Sequence, residues 1–257
     1  MEKINPINLQ AIYVMWLRQV KRFIRAKSRL IASVIQPFFF LSILGLGFMR
    51  VKMPGIPENL NYMGFLVPGM VTMSVIFSSM FAGVSVIWDR KFGFLQEVLV
   101  APVSRLSIII GRTFGGCTEA LIQGFIILAA GVCLGAKISP LGLLPAIAMM
   151  VLTAFSAVGF GLAVASKLED IHGFQLIMSL LVMPLVLLST AFFPIEAAPE
   201  ALRYLIYFNP LTYAVDGIRG CLIQSSSIPI LIDFTVITSL CIVIMSLGAY
   251  FFTKCEV

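Results

Sequence analysis

Apolar residues in this chain come in long runs, and the polar residues gather between them. Six runs, at 30–49, 62–87, 106–135, 141–165, 173–193 and 229–252, reach the length that a helix needs to cross a bilayer. Ahead of the first, residues 9–29 repeat at helical spacing. Leu9, Ile12, Trp16, Val20 and Phe23 share one face, and Arg18, Arg22, Arg25 and Arg29 share the opposite one. A helix divided in this way is expected in the membrane interface, with its charges toward anionic lipid. It is either an anchor or a moving element at the cytosolic mouth of a pathway.

The connector between the second and third runs, residues 88–105, is short and amphipathic. Asp89, Arg90, Lys91, Glu97 and Arg105 keep it out of the bilayer, while Phe92, Leu95 and Leu99 recur at helical spacing until Pro102 stops the helix. Two readings stay open. An apolar ridge flanked by charges suits a groove on a soluble partner, and it also suits a loop helix resting on lipid.

Residues 194–227 form the second unusual stretch. Pro194, Pro199 and Pro210 break it, and Glu196, Glu200, Arg203, Asp216 and Arg219 make a span through it costly. Asn209 followed by Pro210 is a helix start. Two short helices are expected, over 199–208 and 210–223, as a hairpin dipping into the outer leaflet, with Tyr213 in its second arm. Leu205 is then shielded and Ser226 reachable from outside. An ordinary outer loop with surface helices is the alternative.

Polar residues inside the runs are few. Arg112, Gly116, Glu119 and Gln123 lie on one face of the third span, and ionisable groups at that depth should face protein. Arg112 and Glu119 either pair across two turns or find partners on other helices. Their face belongs to a substrate path, to a subunit contact, or to a buried structural pair. Asp233 is near the outer end of the last span and is expected to reach the headgroups. Small residues four apart, at Ser79 and Gly83, at Gly111 and Gly115, and at Ala157 and Gly161, permit close helix packing without naming a partner.

Composition fits the same class. The chain has 257 residues, 60% of them hydrophobic and 12% charged, and a mean hydropathy of +1.02. This is an all-α integral membrane protein with intramembrane packing as its core. The formal charge of +6 does not indicate nucleic acid, because it is concentrated before the first run. Lys3, Arg18, Lys21, Arg22, Arg25, Lys27 and Arg29 lie there, and Arg90, Lys91, Arg105, Lys167 and Lys254 fall on the same side of a six-span topology. The outer connectors hold only Arg50, Lys52, Lys137, Arg203 and Arg219, so both termini are expected in the cytosol. The first apolar run starts too late for a cleavable leader. Five widely spaced cysteines, without a Cys/His cluster, indicate neither a disulfide framework nor a metal site. Nothing resembles a Walker A loop or a nucleophile–base pair, and His172, the single histidine, lies among charges in a short connector. No catalytic residue is expected.

Several of these features occur together in one family. The chain resembles the membrane subunit of type-2 ABC transporters, particularly the daunorubicin-resistance-type exporters, over almost its whole length. The resemblance lies in the basic N-terminal helix, in Glu97, Val98, Leu99, Ala101 and Pro102, and in Asn209, Pro210, Leu211, Thr212 and Tyr213 followed by Arg219. It implies an interfacial helix over 1–29 and a transmembrane domain over 30–257. Within that domain, 89–102 is a coupling helix and 199–223 an outer re-entrant hairpin. Arg90, Phe92, Leu95, Glu97, Leu99 and Pro102 then contact an ATPase. Arg112, Glu119 and Gln123 line the pathway or a subunit contact, and Asn209, Pro210 and Tyr213 form the outer region. Two copies of the chain, two ATPase subunits that carry the ATP and magnesium, and membrane lipids complete the expected assembly. It would sit in the plasma membrane of a prokaryote and export a drug-like molecule, lipid or glycolipid. An ion- or proton-coupled transporter acting without an ATPase is the competing class, with Glu119 as its only deep acid.

Overall fold

The computed structural model describes residues 8–48, 51, 54–57, 60–94, 103–168 and 170–253. Among them, all regular structure is helical. The main helices are α1 (Leu9–Arg25), α2 (Lys27–Gly47), α3 (Tyr62–Lys91), α4 (Arg105–Cys133), α5 (Leu143–Lys167), α6 (Ile171–Leu187), α7 (Glu200–Phe208), α8 (Pro210–Ile223) and α9 (Ile230–Thr253).

Four of the six expected spans are helices long and apolar enough to cross a membrane: Tyr62–Lys91, Arg105–Cys133, Pro140–Lys167 and Ile230–Phe251. The other two expected spans are shorter apolar helices, Ser33–Gly47 and Ile171–Leu187. At 1.5 Å per residue α6 is about 25 Å long, short of the hydrocarbon thickness. It stops at Leu187, before the expected Phe193, because the chain turns: Ser189 Oγ donates to Val186 O, and the Asn209 amide donates to Leu185 O at 2.6 Å. Residues 178–182 of α6 form a π-turn just before Pro184.

Buried almost throughout, α3 is the centre of the molecule. It packs on α4 and α5, and α5 packs in turn on α9. Two glycines bring α3 and α5 into backbone contact, since a Cβ at Gly83 would strike the Gly161 carbonyl. The pair at Gly111 and Gly115 serves α1 in the same way. A side chain at either would meet the backbone of Ile12 or the side chains of Met15 and Gln19.

That contact corrects the expected orientation of α1. Met15, Gln19 and Phe23 are its buried residues, while Leu9, Tyr13, Val14 and Ile24 are exposed. Arg18 and Arg22 turn inward onto Asp89 instead of outward to lipid. The reason is electrostatic: a carboxylate as buried as Asp89 needs positive partners. The helix also ends earlier than expected, at Ala26, whose N–H bonds the Arg22 and Phe23 carbonyls.

Helices α7 and α8 form where the proline pattern placed them. Asn209 caps α8 by accepting from the Leu211 N–H, with Pro210 at the first helical position. Within this chain Leu205 is 53% exposed, and Ile206 is the buried member of α7. A nine-residue helix with one inward stripe buries only that stripe. Asp170 caps α6, and the backbone N–H groups of His172 and Gly173 hold its carboxyl below the usual carboxylate range.

Candidate functional site

At the C-terminal end of α3, Asp89 is gripped by three guanidiniums. Arg18 donates both Nη atoms, at 3.1 and 2.8 Å, Arg22 donates at 2.7 Å, and Arg112 at 2.6 Å. One carboxylate therefore joins α1, α3 and α4. Arg112 is buried, so its pairing with Asp89 settles the choice left open in the sequence in favour of a partner on another helix. The Arg18 guanidinium also lies 3.5 Å from the centre of the Phe94 ring, at the start of the connector. Among the described residues, three positive charges against one negative leave this cluster with a surplus of two.

Arg90 points elsewhere. Its guanidinium donates to Ser166 O and Leu168 O at 3.3 Å, where it satisfies carbonyls at the C-terminal end of α5. Phe92 is exposed and stacks on Trp88 at 5.3 Å. Leu95, Glu97, Leu99 and Pro102 lie outside the described residues.

A cleft of about 810 Å³ opens between α2, α3 and α6, with Gln123 of α4 at its back. Phe77, Phe81, Phe174 and Trp88 contribute aromatic surface, and Met178 and Met183 bring the π-turn of α6 into the wall. A π-turn re-aims side chains by inserting one extra residue per turn. Gln123 donates to Ser33 Oγ at 2.8 Å and so ties α4 to α2. Arg112, Glu119 and Gln123 are all buried, but the structure separates them: Arg112 belongs to the Asp89 cluster, whereas Gln123 lines the cleft. Glu119, 2% exposed, lies between them along α4.

A second polar cluster lies near the opposite, N-terminal end of α3. Arg219 is buried, donates to Thr190 O, sits 3.7 Å from Asp216 Oδ1, and lies 3.8 Å from the centre of the Phe65 ring. Asp216 accepts from the N–H groups of Ser227 and Ile228, at 3.2 and 2.8 Å, which pins the turn between α8 and α9. Tyr213 donates to Tyr207 O and Thr212 to Ile206 O, so α7 and α8 are laced together. Asn209, Pro210 and Tyr213 thus hold the α6–α7–α8 corner in shape.

Asp233 corrects an expectation. It does not reach the headgroups but is 0% exposed, packed against Gly217, and neither carboxylate oxygen has a hydrogen-bond partner among the described residues. The first turn of α9 is folded under α8, which closes the route to the surface. Asp89 and Asp233 are buried acids whose weight sequence reasoning missed. For Asp89 a signal existed, because a buried Arg112 demands an acid on a neighbouring helix.

Comparison with known proteins agrees with this architecture. The ABC-2 type transporter family matches residues 10–223. The ycf38 protein of Cyanophora paradoxa, named as a transport permease, is 33% identical over 226 residues, covering 85% of this chain and 76% of the relative. The inner membrane transport permease YadH of Escherichia coli is 28% identical over 236 residues, covering 88% of each. YbhR of Escherichia coli, named as a multidrug ABC transporter permease, is 30% identical over 174 residues, covering 67% of this chain and 47% of the relative. With the family matched over most of its length and its helices long and apolar enough to cross the bilayer several times, this multi-pass membrane chain belongs to the ABC-2 type transporter family.

Proposed function

We propose that this chain is the non-catalytic membrane subunit of an ATP-driven exporter and that the cleft between α2, α3 and α6 is its half of the substrate path. The observation that carries the reading is that cleft, amphipathic and open along one side, in a chain of this family. A second copy set against α2 and α6 completes the path. Both helices keep large apolar side chains outward, among them Ile35, Phe39, Leu176 and Leu180.

In this reading α2 through α6 and α9 make six passes with both termini in the cytosol, and α7 and α8 form the outer re-entrant hairpin. A separate ATPase, carrying ATP and magnesium, docks at 89–102. Its closure pushes on the connector. Arg90 bonds to the end of α5, Asp89 bonds to α1 and α4, and α3 leads directly into the connector. A displacement there moves whole helices between inward- and outward-open states. The substrate is an amphipathic or hydrophobic molecule, and the membrane is that of a prokaryotic cell.

Affinity purification from native membranes tests this. An ABC ATPase should co-purify, and proteoliposomes of the pair should move a hydrophobic dye only with ATP. Glu97→Lys should weaken that association or uncouple hydrolysis from transport. ATP hydrolysis by the purified chain alone would overturn the proposal.

A further inference from the structure

The described wall of the cleft is uncharged. Eighteen described residues line it, and none is Asp, Glu, Lys, Arg or His. Seven carry a neutral hydroxyl or amide: Ser33, Gln36, Ser74, Ser78, Gln123, Gln175 and Ser179. They are ordered. Ser74 and Ser78 are one turn apart on α3, and Gln175 and Ser179 one turn apart on α6, so each helix offers two neutral polar groups about 6 Å apart along its axis. Ser74 Oγ is buried with no hydrogen-bond partner among the described residues, a hydroxyl in the wall whose bonding capacity is unspent.

An ion drawn into such a cleft loses its water and meets no opposite charge, which is far more costly than burying a neutral group that finds a hydrogen bond. Aromatic faces recover only part of that cost for a cation. The charged side chains of the Asp89 cluster sit beyond Trp88 and do not line the cleft. We infer that the cleft takes an uncharged amphiphile, an apolar framework carrying several hydroxyl, ether or amide groups, and discriminates against ionised molecules of the same size. This rests on the cleft being the transport path, and it deepens that reading by naming the substrate class.

Trp88 lines the cleft, and Trp16 is the only other tryptophan, so Trp16→Phe leaves a single reporter. The purified variant in phosphatidylcholine nanodiscs is titrated with three amphiphiles bearing the same brominated dodecyl chain: a maltoside, a sulfate and a trimethylammonium. The maltoside should quench Trp88 saturably and bind at least about tenfold more tightly than either ion, because one uncompensated charge outweighs a single neutral hydrogen bond. Adding Gln123→Leu, or in a separate protein the milder Ser78→Ala, should weaken maltoside binding about two- to tenfold. Equal or tighter binding of either ion overturns the inference. So does quenching that never saturates or that ignores both substitutions, since that reports lipid around Trp88. Neutral selectivity in a chain that fails to transport with its ATPase would sink the transport reading alone. ATP-driven transport with ion-selective quenching would sink only the inference.

Discussion

A single carboxylate, Asp89, holds guanidiniums from two other helices, and that gives it more leverage than its place at the end of a span suggests. Asp89→Asn leaves Arg112 buried without its counter-charge, which should cost about 3 kcal/mol. Arg22→Gln removes a half-exposed partner and should cost no more than about 1 kcal/mol. Thermal unfolding in detergent ranks the two. Asp89→Asn combined with Arg112→Leu should be less destabilising than the two single changes added together, because they share one interaction. Asp233 gives the opposite sign. With neither carboxylate oxygen hydrogen-bonded among the described residues, Asp233→Asn should raise the melting temperature, by an amount corresponding to about 1 kcal/mol. A lowered melting temperature would mean that the acid has a partner in the working assembly. The sequence showed Glu119 as a deep acid, and burial agrees. It hid Asp89, because two basic neighbours make that residue look like part of a solvated connector, and its partner Arg112 lies 23 positions away on another helix.

Helices were the most legible level. Long apolar runs yield long helices almost wherever they occur, since a bilayer leaves backbone groups no other way to be satisfied. Asn209–Pro210 marked the start of α8 for a local reason, the cap, which needs no tertiary information. The length of α6 was not legible, because Asn209 and a π-turn decide where that helix ends. The role of α1 was not legible either: a helical wheel separates faces but does not say that Gly111 and Gly115 on α4 make room for one of them. Gly115→Leu should therefore displace α1. Limited trypsin digestion should cut at Lys21 and Arg22 markedly faster, whereas Gly47→Leu, which points into open space, should leave the rate unchanged. If both variants digest like the parent, α1 is held by its arginines alone.

For the whole molecule, charge counts predict an orientation and family membership implies an ABC ATPase partner, but the cleft was invisible in the sequence. Its walls come from residues 33–37, 73–88, 123 and 171–183, which are brought together only by packing. The orientation is directly testable. In a cysteine-free background, a cysteine at Arg25 should react with a membrane-impermeant maleimide only from the cytosolic side, and one at Ser226 only from outside. Labelling of both from one face would invert or break the six-pass topology.

The glycine contact between α3 and α5 has an evolutionary consequence. Gly83 lies on the opposite side of α3 from Ser74, Phe77, Ser78 and Phe81, by the 3.6-residue period. One side of the helix is therefore committed to a backbone contact that tolerates no side chain, while the other turns Ser74, Phe77, Ser78 and Phe81 to the cleft, away from that contact. With the cleft as the proposed path, lineages carrying this scaffold would drift from one cargo to another by a few substitutions on that face while inheriting the mechanical frame unchanged.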